Sequence, residues 1–288
     1  MLKRGVDLLI IVFAVFFFEA NAQSVSSAGK KPVKILAIGN SFSEDAVEYH
    51  LSRLAKADSL EVIIGSLVVG GSTLEQHWKN VLNADSSYRY TKINWMENSR
   101  TVRKNTRLTD GIKDEEWDYI TFQQVSHQSG IYASYFPYIT DLIAFTKKEA
   151  LNPKVEFAIH QTWAYNKEST HFGFANYNNN QMEMYNAIIG TVDKVAKEIG
   201  VNMIIPAGVA IQNGRYVAPE TDFCRDGFHL SPIGRYVAAC TWYEKILGKP
   251  SPGNSFCPTT LDAGKCRLAQ EIAHKAVMDP SKNEKQNK

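Results

Sequence analysis

Short apolar runs alternate with longer amphipathic stretches along most of the chain, and this alternation indicates its fold class. The apolar runs are rich in Val, Ile and Phe, and they predict strands at residues 33–38, 61–69, 119–122, 155–159 and 203–205. The amphipathic stretches predict helices at residues 45–56, 73–83, 138–151, 181–199 and 232–247. Strands that alternate with helices predict an α/β fold with a mainly parallel sheet. Because the strands are apolar throughout, we expect helices to cover both faces of the sheet, which makes a three-layer α/β/α sandwich.

Two segments interrupt this alternation at points where the chain leaves a predicted strand. Residues 86–108 alternate aromatic with polar side chains and then become basic, which predicts an inserted hairpin or loop. Residues 167–180 are polar and aromatic and include four asparagines. Long ordered connections in compact domains are often functional. Their aromatic side chains either bind a sugar or an aryl group or pack against the sheet, and the sequence leaves both interpretations open.

The N-terminus has the order of segments found in secretory signals. Lys3 and Arg4 precede an unbroken apolar run at residues 8–18, and small residues follow up to Ala22. This order predicts a signal peptide at residues 1–22 that is cleaved after Ala22, with export to a periplasm or to the exterior. The apolar run is far shorter than the ~20 residues that cross a bilayer, so we expect no stable insertion into a membrane.

The composition is that of a globular protein and argues against a nucleic-acid partner. Of the 288 residues, 44% are hydrophobic and 22% are charged, which allows a sizeable buried core. The formal net charge is only +2, so the chain offers no basic field for nucleic acid. A helix-like stretch at residues 261–277 is followed by a strongly charged end, which we expect to be disordered.

Export would place the four cysteines in a compartment where disulfides persist. Cys257 and Cys266 flank a short turn-rich stretch, so we predict a disulfide between them. Cys240 lies about 12 Å along the helix predicted to begin at Pro232, which favours a small apolar residue on a helix face over a bridge to Cys224. Whether Cys224 and Cys240 are free stays open. We expect no metal site, because the chain lacks a Cys-x-x-Cys motif and its seven histidines have no ligand spacing.

A serine at the end of the first strand and a downstream Asp–His pair are the candidate chemistry. Ser41, in "IGNSFS", stands where the first strand meets the next helix, at the sheet edge where α/β proteins bind ligands. Asp226 and His229, in "DGFHLS", lie in a Gly-containing turn before Ser231 and Pro232, which predict a helix cap and first helical residue. A serine nucleophile needs a base within ~3 Å and a group that orients the base. The alternative interpretations are a helix-capping serine and a surface histidine bonded to an aspartate.

On these residues, the sequence resembles the SGNH branch of the GDSL hydrolases, which are esterases and lipases. "IGNSFS" is similar to the first block of the family and makes Ser41 the nucleophile. "VVGGSTLEQHW" is similar to the second block, in which the N–H of Gly71 would serve an oxyanion hole. "DGFHLS" is similar to the fifth block, with Asp226 orienting the base His229. The resemblance spans about residues 33–247 and implies a flavodoxin-like fold.

The third block departs from the family pattern Gly-x-Asn-Asp, whose asparagine donates to the oxyanion. The sequence here reads "DYITFQQVSHQSG". A glutamine amide can donate the same hydrogen bond, so Gln124 is the expected substitute, with Gln123 and His127 as alternatives. If the nucleophile is not Ser41, Ser126 is the next candidate.

The resemblance implies a serine esterase that needs no metal or organic cofactor. The expected substrate is a small-molecule or polysaccharide ester, and the polar and aromatic insertions favour deacetylation of a carbohydrate. Two alternatives stay open at this point: a lipid-directed lysophospholipase or thioesterase, and a non-catalytic carbohydrate-binding protein on the same fold. The expected organisation is a signal peptide at residues 1–22, a hydrolase domain at residues 31–250, and a C-terminal helix and disordered tail at residues 251–288.

Overall fold

A computed structural model describes residues 31–94 and 96–279. The predicted signal peptide with its cleavage site, and the last nine residues of the predicted tail, lie outside the described residues, so export stays a prediction. No helix in the described ranges is both long enough and apolar enough to span a bilayer.

The described residues contain one mixed sheet of seven strands, and the chain enters it near the middle. The strand order is β4-β3-β2-β1-β5-β6-β7. Strands β2, β1, β5, β6 and β7 pair in parallel in this order. Strands β3 and β4 form an antiparallel hairpin at one edge of the sheet, and β3 pairs antiparallel with β2. The strands are β1 Val33–Gly39, β2 Val62–Val68, β3 Tyr88–Asn94, β4 Ser99–Thr106, β5 Tyr119–Phe122, β6 Glu156–His160 and β7 Met203–Ile205.

Helices cover both faces of this sheet, which confirms the three-layer α/β/α sandwich. On one face α1, α2, α7 and α9 pack around α8, and on the other face α3, α4 and α5 pack together. The helices are α1 Ser41–Val47, α2 Leu51–Ala57, α3 Leu74–Leu82, α4 Leu108–Ile112, α5 Tyr138–Glu149, α6 Gln181–Glu198, α7 Ala207–Val217, α8 Pro232–Leu247 and α9 Ala263–Met278. Short 3₁₀ helices span Ser126–Gln128, Tyr132–Tyr135 and Phe172–Tyr177.

Strand β1 is the centre of the core. Ile35, Leu36, Ala37 and Ile38 have no exposed surface, although successive side chains of a strand point to opposite faces. Only a sheet covered on both sides buries four such residues in a row, which is why β1 reads as an unbroken apolar run. The burial of β1 also fixes the position of the turn that follows it at Asn40.

The structure differs from the sequence prediction in three helices, one of which is the short, unpredicted α4. The helix predicted at residues 45–56 is broken into α1 and α2, with a turn between them. Helix α7 was not predicted, because its two glycines are poor helix formers. Close packing requires glycine at both positions, because any larger side chain would clash. A Cβ atom on Gly208 would lie 2.2 Å from the Thr162 carbonyl oxygen, and a Cβ atom on Gly214 would lie 2.6 Å from the Phe223 ring. The hairpin predicted at residues 86–108 is confirmed as β3 and β4.

The C-terminal segment packs against the main sandwich through α9. The buried carboxylate of Glu244, on α8, accepts hydrogen bonds from Ser251 N at 2.8 Å and from His274 Nδ1, on α9, at 2.8 Å. The predicted disulfide between Cys257 and Cys266 is confirmed and closes the start of α9.

Removal of this disulfide should destabilise the protein. The bridge closes a loop with a sequence separation of 9. In the chain-entropy account, a loop of this size contributes about 2–3 kcal/mol to the free energy of unfolding. We expect that loss in urea unfolding of a variant with both Cys257 and Cys266 replaced by alanine. Because Cys224 and Cys240 are buried and free, alkylation of the denatured, unreduced protein should label those two alone; labelling of all four would contradict the bridge.

Candidate active site

The turn after β1 leaves the hydroxyl of Ser41 available. Asn40 is the N-cap of α1, and its Oδ1 accepts a hydrogen bond from Phe42 N at 3.0 Å. Asn40 therefore performs the capping role that the sequence left open for Ser41. The Ser41 Oγ instead lies 2.9 Å from Nε2 of His229.

His229 is held in one orientation by Asp226. The His229 Nδ1 and the Asp226 Oδ2 are 2.7 Å apart, and Asp226 Oδ1 accepts from the backbone N–H of His229 at 2.7 Å. Burial by itself would raise the pKa of Asp226, but the hydrogen bonds from His229 and Phe228 outweigh it and lower that pKa. An ionised Asp226 accepts the Nδ1 proton, so Nε2 is left to accept the proton of Ser41.

A buried carboxylate on α1 holds the turn that carries this pair. Asp45 is 2% exposed. It accepts hydrogen bonds from Arg225 Nη1 at 2.9 Å, from Leu230 N at 2.8 Å and from Arg235 Nε at 2.8 Å. Arg225 and Leu230 lie on either side of His229 in the chain, and Arg235 lies on α8. As predicted, α8 begins at Pro232 with Ser231 as its N-cap. Asp45 thus fixes the separation between the helix of Ser41 and the turn of His229.

Gln123 holds the other side of the Asn40 turn. Its Oε1 accepts from Ser43 N at 3.2 Å and from Ser43 Oγ at 2.8 Å. Its Nε2 donates to Asn40 Oδ1 at 3.0 Å and to the Gln124 carbonyl at 2.7 Å. Both amide protons are therefore used within the protein.

The contacts of Gln124 contradict its expected role as an oxyanion donor. Its Nε2 donates to the Ser134 carbonyl at 2.8 Å and to Ser134 Oγ at 3.0 Å. Its Oε1 accepts from Leu74 N at 3.0 Å and from Val125 N at 2.8 Å. The side chain satisfies buried backbone groups around the end of β5, and no donor is left for a ligand. The prediction for Gln124, and the alternative for Gln123, are corrected accordingly.

Ser41 and His229 open into a pocket of about 420 Å³ at the carboxyl end of the parallel strands. Gly71 and His127 also line it, whereas Gln123 and Gln124 do not. The remaining walls are largely aromatic, with contributions from Phe42, His171, Phe172 and Phe228. Of the sequence-predicted donors, the structure thus brings Gly71 and His127 to the pocket of Ser41.

Gly71, which lines this pocket, has a backbone conformation that few other residues adopt. Its φ of +64° lies in the left-handed region that favours glycine. Within the described residues its N–H has no hydrogen-bond acceptor. The next residue, Ser72, is fixed by its neighbours, because its carbonyl accepts from Asn40 Nδ2 at 3.1 Å and its Oγ donates to the Val69 carbonyl at 2.9 Å.

A buried histidine that the sequence did not single out supports this loop. His77 Nε2 lies 2.9 Å from Ser72 Oγ, and His77 Nδ1 lies 2.8 Å from Tyr88 OH. Since the Ser72 proton goes to a carbonyl, Nε2 carries the imidazole proton and Nδ1 accepts from the tyrosine. Burial lowers the pKa of His77 to about 4, so the ring is neutral. His77 lies within a segment that resembles the second block, but only the fold shows what it contacts.

The two remaining candidates from the sequence lie on one 3₁₀ helix. Ser126 Oγ pairs with Tyr165 OH at 2.7 Å, and no imidazole contacts that hydroxyl within the described ranges. Ser126 therefore lacks the base that a nucleophile needs. The His127 ring packs against His171 and Phe172, with centroids 5.7 and 5.1 Å away. Burial, together with the charge of His171, lowers the pKa of His127.

The chain matches a known family over most of its length. Residues 34–276 fit the family model described as a domain of unknown function, DUF4886. The chain belongs to the DUF4886 family. A search of curated proteins found no match.

Solved structures extend this comparison. A DUF4886 family protein from Bacteroides uniformis is 40% identical, with 87% of this chain and 96% of that chain covered and a TM-score of 0.83. A candidate SGNH hydrolase from Slackia heliotrinireducens is 18% identical over 75% of this chain and 99% of that chain, with a TM-score of 0.51. An acetylxylan esterase from Geobacillus stearothermophilus is 12% identical over 74% of this chain and 94% of that chain, with a TM-score of 0.48. The DUF4886 chain thus shares the fold of an SGNH-type protein.

Replacement of Asp45 in this DUF4886 protein should destabilise the fold. In Asp45→Ala, the N–H of Leu230 and two guanidinium groups lose a buried acceptor. We expect a loss of roughly 3 kcal/mol, the lower end for a broken buried ion pair, because the Arg225 side chain is 40% exposed. Urea unfolding measures this loss. Glu75→Ala, which breaks an exposed pair with Lys79, is the control and should leave the unfolding midpoint unchanged; equal effects would contradict the role of Asp45.

Neutral, buried His77 should make the DUF4886 protein sensitive to acid. The folded pKa is about 4 and the ordinary value is 6.5, so below pH 6.5 the unfolded chain takes up a proton that the folded chain does not. The free energy of unfolding therefore falls with pH between these values, by about 2 kcal/mol from this residue at pH 5. In His77→Gln, the difference in unfolding free energy between pH 7.5 and pH 5 should shrink by that amount. An unchanged pH dependence would show that His77 is charged in the folded protein.

Proposed function

We propose that this protein is a serine esterase in which Ser41 is the nucleophile, His229 the general base and Asp226 the group that orients the base. The observation that supports it most is the continuous hydrogen-bonded chain from Ser41 through His229 to Asp226, with distances of 2.9 and 2.7 Å. Its reactive end opens into the pocket. A serine paired with an oriented imidazole is the arrangement that activates a hydroxyl for attack on a carbonyl.

The reaction would proceed in two steps. As Ser41 Oγ attacks the ester carbonyl, His229 Nε2 takes its proton, and the ionised Asp226 stabilises the imidazolium that forms. When the tetrahedral intermediate collapses, the bond to the alcohol breaks, and the alcohol leaves with the proton from His229. Water then attacks the acyl-serine, again giving its proton to His229, and the acid is released as Ser41 recovers its proton.

Backbone groups would hold the oxyanion in both steps. Ser41 is the first residue of α1, where N–H groups have no intrahelical acceptor. The free N–H of Gly71 lines the same pocket. Two backbone donors of this kind suffice for an oxyanion hole. In SGNH hydrolases, an asparagine of the third block also donates to the oxyanion. Gln123 and Gln124 do not supply such a donor here, because both side-chain amides bond to other groups of the protein.

The pocket favours a short acyl group on a polar alcohol. Val125 is the only aliphatic side chain among the described residues that line it. A long acyl chain would need a continuous aliphatic groove, so this lining argues against a lysophospholipase or a thioesterase for lipids. Aromatic rings and imidazoles instead suit an acetylated carbohydrate, which is the substrate class that we propose.

Loss of either partner should abolish hydrolysis of an acetyl ester. We expect Ser41→Ala and His229→Ala each to lower kcat for p-nitrophenyl acetate by about 10⁴-fold or more, and the double variant to lose little more, because the groups act as a unit. A fluorophosphonate probe should label the wild-type protein and Ser126→Ala, but not Ser41→Ala. Labelling that persists in Ser41→Ala and disappears in Ser126→Ala would place the nucleophile on Ser126 instead.

A further inference from the structure

An exposed aromatic ring stands at the pocket beside Ser41. Phe172 is 77% exposed, yet it lines the pocket. One face of the ring stacks on His171, with centroids 4.6 Å apart and an angle of 25° between the planes. Single exposed apolar side chains are common on protein surfaces, but a ring held by a second ring at a pocket presents a fixed apolar face to a ligand.

The segment that carries Phe172 is built against His127. A Cβ atom on Gly173 would lie 2.2 Å from the His127 Cβ, so only glycine lets the 3₁₀ helix approach so closely. Asn176 Nδ2 and Tyr177 OH both donate to the His127 carbonyl, at 2.9 and 3.2 Å. These contacts hold the wall of the pocket in place without a ligand.

Two imidazoles on this wall have unused hydrogen-bonding capacity. His171 Nδ1 accepts from Gly173 N at 3.0 Å, so the neutral ring carries its proton on Nε2 and can donate it. His127 Nδ1 is buried and has no hydrogen-bond partner in the part of the chain that the structure describes, so Nε2 is the nitrogen that a ligand can reach. Burial is the largest cause that lowers the pKa of both residues, which favours their neutral forms.

The pocket is also uncharged apart from its histidines. Among the described residues, no Lys, Arg, Asp or Glu side chain lines it. A phosphate or a carboxylate on the ligand would find no cationic partner there, whereas a neutral polyol would find donors and acceptors.

We propose that His127, His171, Phe172 and Phe228 form a subsite for the neutral pyranose ring of the leaving alcohol, with the ring stacked on Phe172 and its hydroxyls bonded to the imidazoles. This inference rests on the proposed esterase function and assigns the side of the pocket on which the sugar lies. A pyranose has an apolar C–H face and equatorial hydroxyls at its edge, which is the combination that this wall complements.

The test compares two acetyl esters with different alcohols: a methyl pyranoside that carries one acetyl group and otherwise free hydroxyls, and vinyl acetate, which has no ring. Phe172→Ala should lower kcat/KM for the pyranoside roughly tenfold, mainly by raising KM, because a stacking face is lost. Hydrolysis of vinyl acetate should fall much less, because its alcohol has no ring to stack on Phe172. Phe172→Tyr keeps the ring and should retain activity on both esters. Leu82→Ala removes a side chain of similar exposure on α3, outside the pocket, and is the control.

A binding measurement separates this inference from the proposed function. Calorimetry with the Ser41→Ala protein should detect binding of the same pyranoside, weakened by Phe172→Ala and by His127→Phe. If vinyl acetate is hydrolysed but the pyranoside does not bind, or if Phe172→Ala affects both esters equally, the subsite is wrong and the esterase stands. If no ester is hydrolysed and the pyranoside still binds through Phe172, the esterase is wrong and the subsite stands.

Discussion

The candidate site depends on one buried carboxylate that joins distant parts of the chain. Asp45 follows Ser41 by one turn of α1, and its partners Arg225, Leu230 and Arg235 lie about 180–190 residues further along. A buried carboxylate is expensive unless it is paired and fully hydrogen-bonded, so the native arrangement of these segments is strongly preferred over looser ones. The same contacts that satisfy Asp45 bring Nε2 of His229 to the hydroxyl of Ser41.

A second network joins the loops that follow three neighbouring strands. Asn40 follows β1, Ser72 follows β2 and Gln123 follows β5. The Asn40 side chain donates to the Ser72 carbonyl and accepts from the Gln123 amide, so it joins the other two. Because these strands are adjacent and parallel, their carboxyl ends lie at one edge of the sheet. The network uses up polar groups that would otherwise be buried without partners, and Gly71, beside Ser72, lines the pocket.

The side chains of Gln123 and Gln124, which follow β5, are both engaged within the protein. Neither side chain lines the pocket, and each amide bonds to backbone and side-chain groups of the protein. Gln123 reaches the Asn40 turn, and Gln124 reaches Ser134 and Leu74. Both amides therefore stabilise the turns at this end of the sheet, whereas rings from the segment that contains Phe172 line the pocket.

The local pattern of residues was enough to determine the strands, most helices, the Ser231–Pro232 helix start and the candidate residues Ser41, Asp226 and His229. These depend on short-range features: runs of apolar side chains, capping residues, and a carboxylate three residues from an imidazole. Tertiary structure alone decided where the amides of Gln123 and Gln124 point, that α7 forms despite its glycines, and that His77 and Asp45 support the site. Each of these depends on which buried polar group or backbone atom lies within hydrogen-bonding or contact distance, and that is set by segments far apart in the chain.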